Sequence, residues 1–157
     1  MCNHFLPAVN HTLALAQKEV EGTGLPFSAV IVDESGRIVA EGVNRVQALH
    51  DCTAHAEIQA IRKATLLLKQ VSLEGMTLIA SGEPCGFCYM AIQQAKISRV
   101  IVLVDRHEAC QYGFDYRWTY QLLQESKLQI EISKWPQLNH RLQPFRQSSI
   151  GLASIGM

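Results

Sequence analysis

Three side chains able to bind a soft divalent metal stand at short offsets in two segments. His55 lies in Thr53-Ala54-His55-Ala56-Glu57, and Cys85 and Cys88 lie in Glu83-Pro84-Cys85-Gly86-Phe87-Cys88. Zinc takes imidazole nitrogen at about 2.0–2.1 Å and thiolate sulfur at about 2.3 Å, in a tetrahedron; three protein ligands leave the fourth corner to water, the arrangement of a catalytic centre. Glu57 follows His55 by two residues. A carboxylate near the metal that does not bind it can take a proton from that water and pass it on, which is general acid–base work.

A Cys-x-x-Cys pair alone also suits a redox dithiol, and a structural zinc module would want a fourth protein ligand. A dithiol has no need of His-Ala-Glu upstream or of Glu83-Pro84 just before the first cysteine. The other candidates (His4, His11, His50, His107, His140, Cys2, Cys52 and Cys110) show no ligand-pair spacing. The combined pattern favours an enzyme with one zinc per chain over a non-catalytic zinc module or a redox protein.

The elements that would position these residues follow from periodicity. Residues 4 to 21 repeat apolar side chains at helical intervals until Gly22 and Gly24. Phe27 to Val32 and Ile38 to Ala40 flank a polar turn and read as a hairpin. Residues 44 to 53 form a polar loop, Ala54 to Leu68 a helix and Met76 to Ala80 a buried-type strand; Pro84 suits the first turn of the next helix. Arg99 to Val104 is a strand, 116 to 125 a helix and Leu128 to Ile132 a last strand, with at most a short helix in 137 to 157. Strands joined through a helix run parallel by right-handed crossovers. The prediction is a three-layer α-β-α domain of the α/β class with a mixed five-stranded sheet. The three ligands then sit at helix N-termini, where unpaired N–H groups and the dipole favour thiolate. The two helices are expected to meet at adjacent strand ends from opposite faces of the sheet.

The 157 residues make one domain, with a core at about 4 to 132, and bury enough surface to need no disulfide framework. Lys plus Arg and Asp plus Glu both total 14, a balance that argues against a dedicated nucleic-acid binder. No apolar run approaches the length of a membrane span and no export signal opens the chain, so the expected compartment is the cytoplasm.

At His55-x-Glu57 and Pro84-Cys85-x-x-Cys88 the chain resembles the cytidine-deaminase-like zinc deaminases, whose signature is H-x-E followed by P-C-x-x-C. The resemblance covers roughly residues 25 to 120. It implies the cytidine deaminase-like fold, zinc on His55, Cys85 and Cys88, and Glu57 as proton shuttle while hydroxide replaces an amino group on a ring. Two branches are nearest in motif. Tyr112-Gly113-Phe114-Asp115 and His55-Ala56-Glu57-Ile58 are similar to the bacterial guanine deaminases, which turn guanine and water into xanthine and ammonia. The tRNA adenosine deaminases share the core residues without the Gly-Phe-Asp stretch; a related aminopurine, aminotriazine or cytosine-type base is a further alternative. By the same resemblance, Asn44, Phe27, Ala56, Phe114 and Asp115 would contact the substrate. Phe27 and Phe114 are placed to sandwich a flat ring, and Asp115 either accepts from an exocyclic amino group or caps the next helix. A small nucleobase is the implied substrate, and a homodimer that exchanges C-terminal segments is the implied assembly. Several features depart from the family: the guanine branch's second acidic residue is Tyr116 here, its aromatic closing segment is Gly151-Leu152-Ala153-Ser154-Ile155-Gly156-Met157, a third-helix tryptophan is matched by Gln94, and Gly82 and Gly86 replace bulkier or Pro residues.

Overall fold

The computed structural model describes residues 3–22, 24–136 and 138–148. Five strands, β1 (Ser28–Val32), β2 (Ile38–Val43), β3 (Thr77–Gly82), β4 (Arg99–Val104) and β5 (Glu131–Lys134), form one sheet in the order β2-β1-β3-β4-β5. β1 is antiparallel to β2 and to β3, whereas β3–β4 and β4–β5 are parallel. The helices are α1 (Leu6–Gly22), α2 (Val46–Leu49), α3 (Ala56–Leu68), α4 (Gly86–Gln94), α5 (Arg106–Gln111) and α6 (Gln143–Gln147). This is the expected mixed α/β sheet with helices on both faces.

Side-chain alternation divides the central strands between the two layers. Val30, Val32, Ile79, Ile101 and Leu103 face one side and pack with Phe5, just before α1, and with Ala8 and Val9 in its first turn. Ala29, Ile31, Leu78, Ala80, Val100 and Val102 face the other, under Ala56, Ala60 and Ala64 of α3 and Cys88, Tyr89 and Ile92 of α4. A strand covered on both faces must be apolar along most of its length, which is why Ala29 to Val32 of β1, Leu78 to Ala80 of β3 and Val100 to Val104 of β4 read as hydrophobic runs. Strand β2, at one edge, alternates instead.

Helices α3 and α4 therefore share one face of the sheet, and the strands leading to them are not neighbours. Both points correct the expectation of opposite faces and adjacent strand ends. Because β1 runs against β2 and β3, those two strands point the same way on either side of it. Their C-terminal ends, and the helices that follow, come to one edge of the sheet together with the N-terminal end of β1. Gly42 lets α3 settle onto β2: a Cβ there would lie 2.3 Å from the Ala56 carbonyl oxygen and 2.5 Å from the Ala60 nitrogen.

Four further differences have local causes. The loop at 44 to 53 contains the single turn α2, closed by His50 in the left-handed region. A helix at Arg106–Gln111 was not expected, because Ala109 is its only buried side chain and it carries no apolar stripe. The predicted helix at 116 to 125 is two 3-10 segments, Arg117–Leu122 and Glu125–Lys127. The last strand begins at Glu131: Leu128 and Ile130 pack against the core, but the ladder with β4 runs from Arg99↔Glu131 to Val102↔Lys134. The short helix anticipated after 137 is Gln143–Gln147; the proposed tail exchange and Cys2 lie outside the described residues.

Candidate metal centre and substrate pocket

His55 and Cys85 occupy the N-cap positions of α3 and α4 with extended backbone, and neither side chain caps its helix. Each is turned to the other. His55 Nδ1 lies 3.6 Å from Cys85 Sγ and 3.3 Å from Cys88 Sγ, and all three donor atoms fall within 4.8 Å of one another. A tetrahedral zinc with ordinary ligand distances sets nitrogen and sulfur about 3.6 Å apart. The donors fit that ion, and among the described residues they are the only such group of three metal-ligating side chains.

Without metal, the two sulfurs compete for a proton. Hydrogen bonding with Cys88 brings the Cys85 thiol down to about 5 against the effect of burial, with His55 acting in the same direction. Burial holds the Cys88 thiol well above its ordinary value. Burial alone would lower the His55 imidazole, yet Cys85 and Glu57 leave it raised. Metal binding displaces such protons, so the site has thiolate character at one sulfur before the ion arrives.

Glu57 is 5% exposed, and burial followed by the Cys85 charge pushes its carboxyl above the ordinary range. It lines a small pocket with Phe27, Asn44, His55, Ala56, Glu83, Cys85 and Tyr116. Asn44 is buried, and its Oδ1 accepts from the Val46 N–H at 3.1 Å, which leaves the amide N–H groups as donors. The loop behind it is pinned where Asp51 Oδ1 accepts from the Thr53 N–H at 2.9 Å and Arg45 N–H donates to the Ala54 carbonyl at 2.9 Å. A wider, largely apolar hollow opens beside the pocket, walled by Phe87 and Trp118.

The structure thus brings His55, Cys85, Cys88, Glu57, Asn44, Phe27 and Ala56 to one place. Two expected contacts do not arrive. Phe114 is fully buried and stands edge-on to Phe27, with ring centroids 5.3 Å apart and planes at 86°, so the pair fills core space and no flat ring fits between them. Asp115 is exposed and bound to Arg117, its Oδ1 accepting from Nε at 2.8 Å and from the backbone N–H at 3.2 Å, a local turn one residue ahead of Tyr116, which holds the N-cap position of Arg117–Leu122. Its carboxyl lies far below the ordinary range because Arg117 bonds it.

Two pocket residues were absent from the expected contacts. Tyr116 is one, and Glu83 is the other. Glu83 Oε1 accepts from the Arg106 N–H at 2.9 Å, and its Oε2 accepts from the Tyr89 hydroxyl at 3.2 Å. Arg106 in turn lies over the Tyr120 ring at 3.8 Å, and the Tyr120 hydroxyl donates to the Pro84 carbonyl. The network braces the loop that carries Cys85. Its visible signal was an acidic residue at the very end of a buried strand.

Comparison with known proteins agrees with this geometry. Residues 7–104 match the cytidine and deoxycytidylate deaminase zinc-binding region, and the chain belongs to that family. Guanine deaminase of Bacillus subtilis is 43% identical over 100 residues, 64% of this chain and 64% of that protein. The crystal structure of a Bacillus subtilis guanine deaminase aligns with a TM-score of 0.68 at 36% identity, covering 88% of each chain. A tRNA-specific adenosine deaminase of Agrobacterium fabrum is 42% identical over 94 residues, 57% of this chain and 61% of that one. The sequence matches thus span less than two thirds of these curated relatives. A guanine deaminase from Nitrosomonas europaea, at 24% identity, shares the fold with a TM-score of 0.76 over 89% of this chain and 81% of its own. The zinc-binding family and the His/Cys/Cys cluster together define a zinc protein.

Proposed function

We propose that this chain is a single deaminase domain that hydrolyses the amino group of a free nucleobase, with guanine as substrate and xanthine and ammonia as products. The observation that carries this reading is the convergence of His55, Cys85 and Cys88 with the buried carboxylate of Glu57 on one small pocket. His55, Cys85 and Cys88 would hold the zinc, which when bound lowers the pKa of water enough to make it a nucleophile at neutral pH. Glu57 takes one proton of the attacking water and gives it to a ring nitrogen; it then takes the remaining proton from the new C–OH group and gives it to the amine, which leaves as ammonia while the carbonyl forms. Its carboxyl, raised by burial, suits a group that must both accept and release a proton. Asn44 donates to an acceptor on the base, Ala56 lies at the uncapped first turn of α3, and Phe27 supplies an apolar wall.

The similarity to tRNA-specific adenosine deaminases supports one alternative, deamination of adenosine in RNA. Phosphate contacts would make that binding fall steeply with salt, whereas a neutral base would show little dependence. The chain's zero net charge favours the base. No helix among the described residues is long and apolar enough to cross a membrane. The free thiols at Cys52, Cys85, Cys88 and Cys110 suit a reducing compartment such as the cytoplasm. Exposed Leu66, Leu67 and Val71 at the end of α3 support a homodimer, which sedimentation would reveal. The test of function is metal analysis joined to an ammonia-release screen of guanine, adenine, cytosine, their nucleosides and a tRNA anticodon stem. About one zinc per chain and turnover of guanine at any salt concentration are expected. Turnover of the RNA alone would replace this reading with the alternative.

A further inference from the structure

One polar group in the pocket has no counterpart. Tyr116 is 3% exposed, lines the pocket beside Glu57, Glu83 and Cys85, and its hydroxyl has no hydrogen-bond partner among the described residues. Buried hydroxyls are normally paired, so an unpaired one on a side chain that lines a cavity points to a ligand that completes it. The side chain is held in place. Its ring stands edge-on to Phe27 at 6.1 Å, and its carbonyl accepts from the Thr119 N–H at 3.0 Å and from the Thr119 hydroxyl at 2.7 Å. The Thr119 hydroxyl in turn accepts from the Gly86 N–H at 2.8 Å, which ties Tyr116 to the first turn of α4 and so to the metal ligands.

The pocket's other polar side chains sort by role. Glu57 offers carboxylate oxygens, which accept, whereas those of Glu83 already accept from the Arg106 N–H and the Tyr89 hydroxyl; Asn44, its oxygen already used, offers N–H groups, which donate. Ring N–H groups of a ligand are therefore served by Glu57, and lone pairs have Asn44 alone besides the Tyr116 hydroxyl. We infer that the Tyr116 hydroxyl contacts the substrate and donates a hydrogen bond to an acceptor atom of the bound ring, a carbonyl oxygen or an unprotonated ring nitrogen, and thereby helps choose the base. This rests on the pocket being the base pocket proposed above. An ionised carboxylate at this position could only accept, whereas a phenol can also donate and so meet a lone pair of the ring.

The test compares the full zinc-loaded chain with Tyr116→Phe, which removes one oxygen and keeps the ring. Ammonia-release kinetics use the base that the wild type accepts. Binding calorimetry uses hypoxanthine, which keeps guanine's ring acceptors but has no amino group to lose. In Tyr116→Phe, KM and the hypoxanthine Kd are expected to rise about 10- to 100-fold, the factor for an unmade buried hydrogen bond, with kcat changed far less. Tm of the free protein should not fall, because the lost hydroxyl had no partner. Hypoxanthine analogues with one ring nitrogen replaced by C–H, or lacking the carbonyl oxygen, should include one that weakens wild-type binding by the same factor and costs Tyr116→Phe nothing further.

An unchanged KM and Kd in Tyr116→Phe, with the wild type active, overturns the inference and leaves the deaminase reading standing. A lowered Tm with equal losses for every analogue also overturns it, since that marks a packing role. A wild type that deaminates no base yet binds hypoxanthine better than Tyr116→Phe supports the contact and overturns the deaminase reading. Binding of no base at all overturns both.

Discussion

Helices α3 and α4 begin at the metal site and α5 begins beside it, but they begin differently. At α5, Asp105 Oδ1 accepts from the His107 and Glu108 N–H groups at 2.9 and 2.8 Å, while Glu108 Oε2 accepts from the Asp105 N–H at 2.9 Å. This is a complete capping box, reinforced by Lys134 at 2.8 Å from both carboxylates and by Arg141 at 2.7 Å from Glu108. At α3 and α4 the cap positions hold His55 and Cys85, whose side chains make no cap bond. Filling an N-cap with a poor capping residue costs about 0.5–2 kcal/mol. The two helices that build the pocket give up that stability and keep metal-binding side chains aimed at one point. The neighbouring helix keeps it. Local rules are broken where the chemistry is placed and obeyed a few residues away.

The sharpest way to probe the functional side is Glu57→Gln, which keeps the ligand set and removes the proton carrier. Zinc content should stay at one per chain while the deamination rate falls about 10²- to 10⁴-fold. A variant with full activity would separate this pocket from the chemistry.

Cys85→Ser tests the comparison itself, because serine is a good N-cap and a poor zinc ligand. It should lose zinc and activity. In chelator, however, it should unfold at higher denaturant than the metal-free wild type, by up to about 1 kcal/mol. A less stable metal-free variant would mean that the uncapped helix costs nothing.

The smallest effect belongs to α5. Asp105→Ala should cost about 1 kcal/mol of stability while leaving zinc content and the KM for base unchanged. Its pH dependence has a definite sign. Burial works against both carboxylates, but Lys134 and the first-turn N–H groups hold Asp105 below its ordinary value, and Arg141 and Lys134 do the same for Glu108. The unfolded chain, with carboxyls near about 3.9 and 4.3, then binds more protons in that range. The box's contribution is complete above about pH 5 and disappears as pH falls through the lower folded values. Metal-free wild type should therefore lose stability more steeply than Asp105→Ala in acid denaturation.

Much of this was legible in the chain. The central strands announced themselves by burial on both faces, and the His55, Glu57, Cys85 and Cys88 pattern marked the metal site because ligand chemistry permits so few residue types. The α5 segment was missed although Asp105 and Glu108 have capping-box spacing, since hydrophobic periodicity says little about a six-residue helix with one buried side chain. Leu128 and Ile130 drew the last strand too early because burial and pairing differ at a sheet edge. Phe114 and Asp115 were assigned by motif, but their directions are set by tertiary packing: one side chain turns to Phe27 in the core, the other to Arg117 outside. Tyr116 reads as an absence in a motif and only in three dimensions as an unpaired hydroxyl.

The strand that separates β2 from β3 has a dimensional consequence. Neighbouring strands lie about 4.8 Å apart, so two steps across the sheet span nearly 10 Å. Packed helices keep their axes about 8–10 Å apart. With β1 as spacer, the two strands that precede α3 and α4 stand about as far apart as two packed helices, and imidazole meets sulfur. Remove the spacer and the helices would collide; add another and the ion would be out of reach.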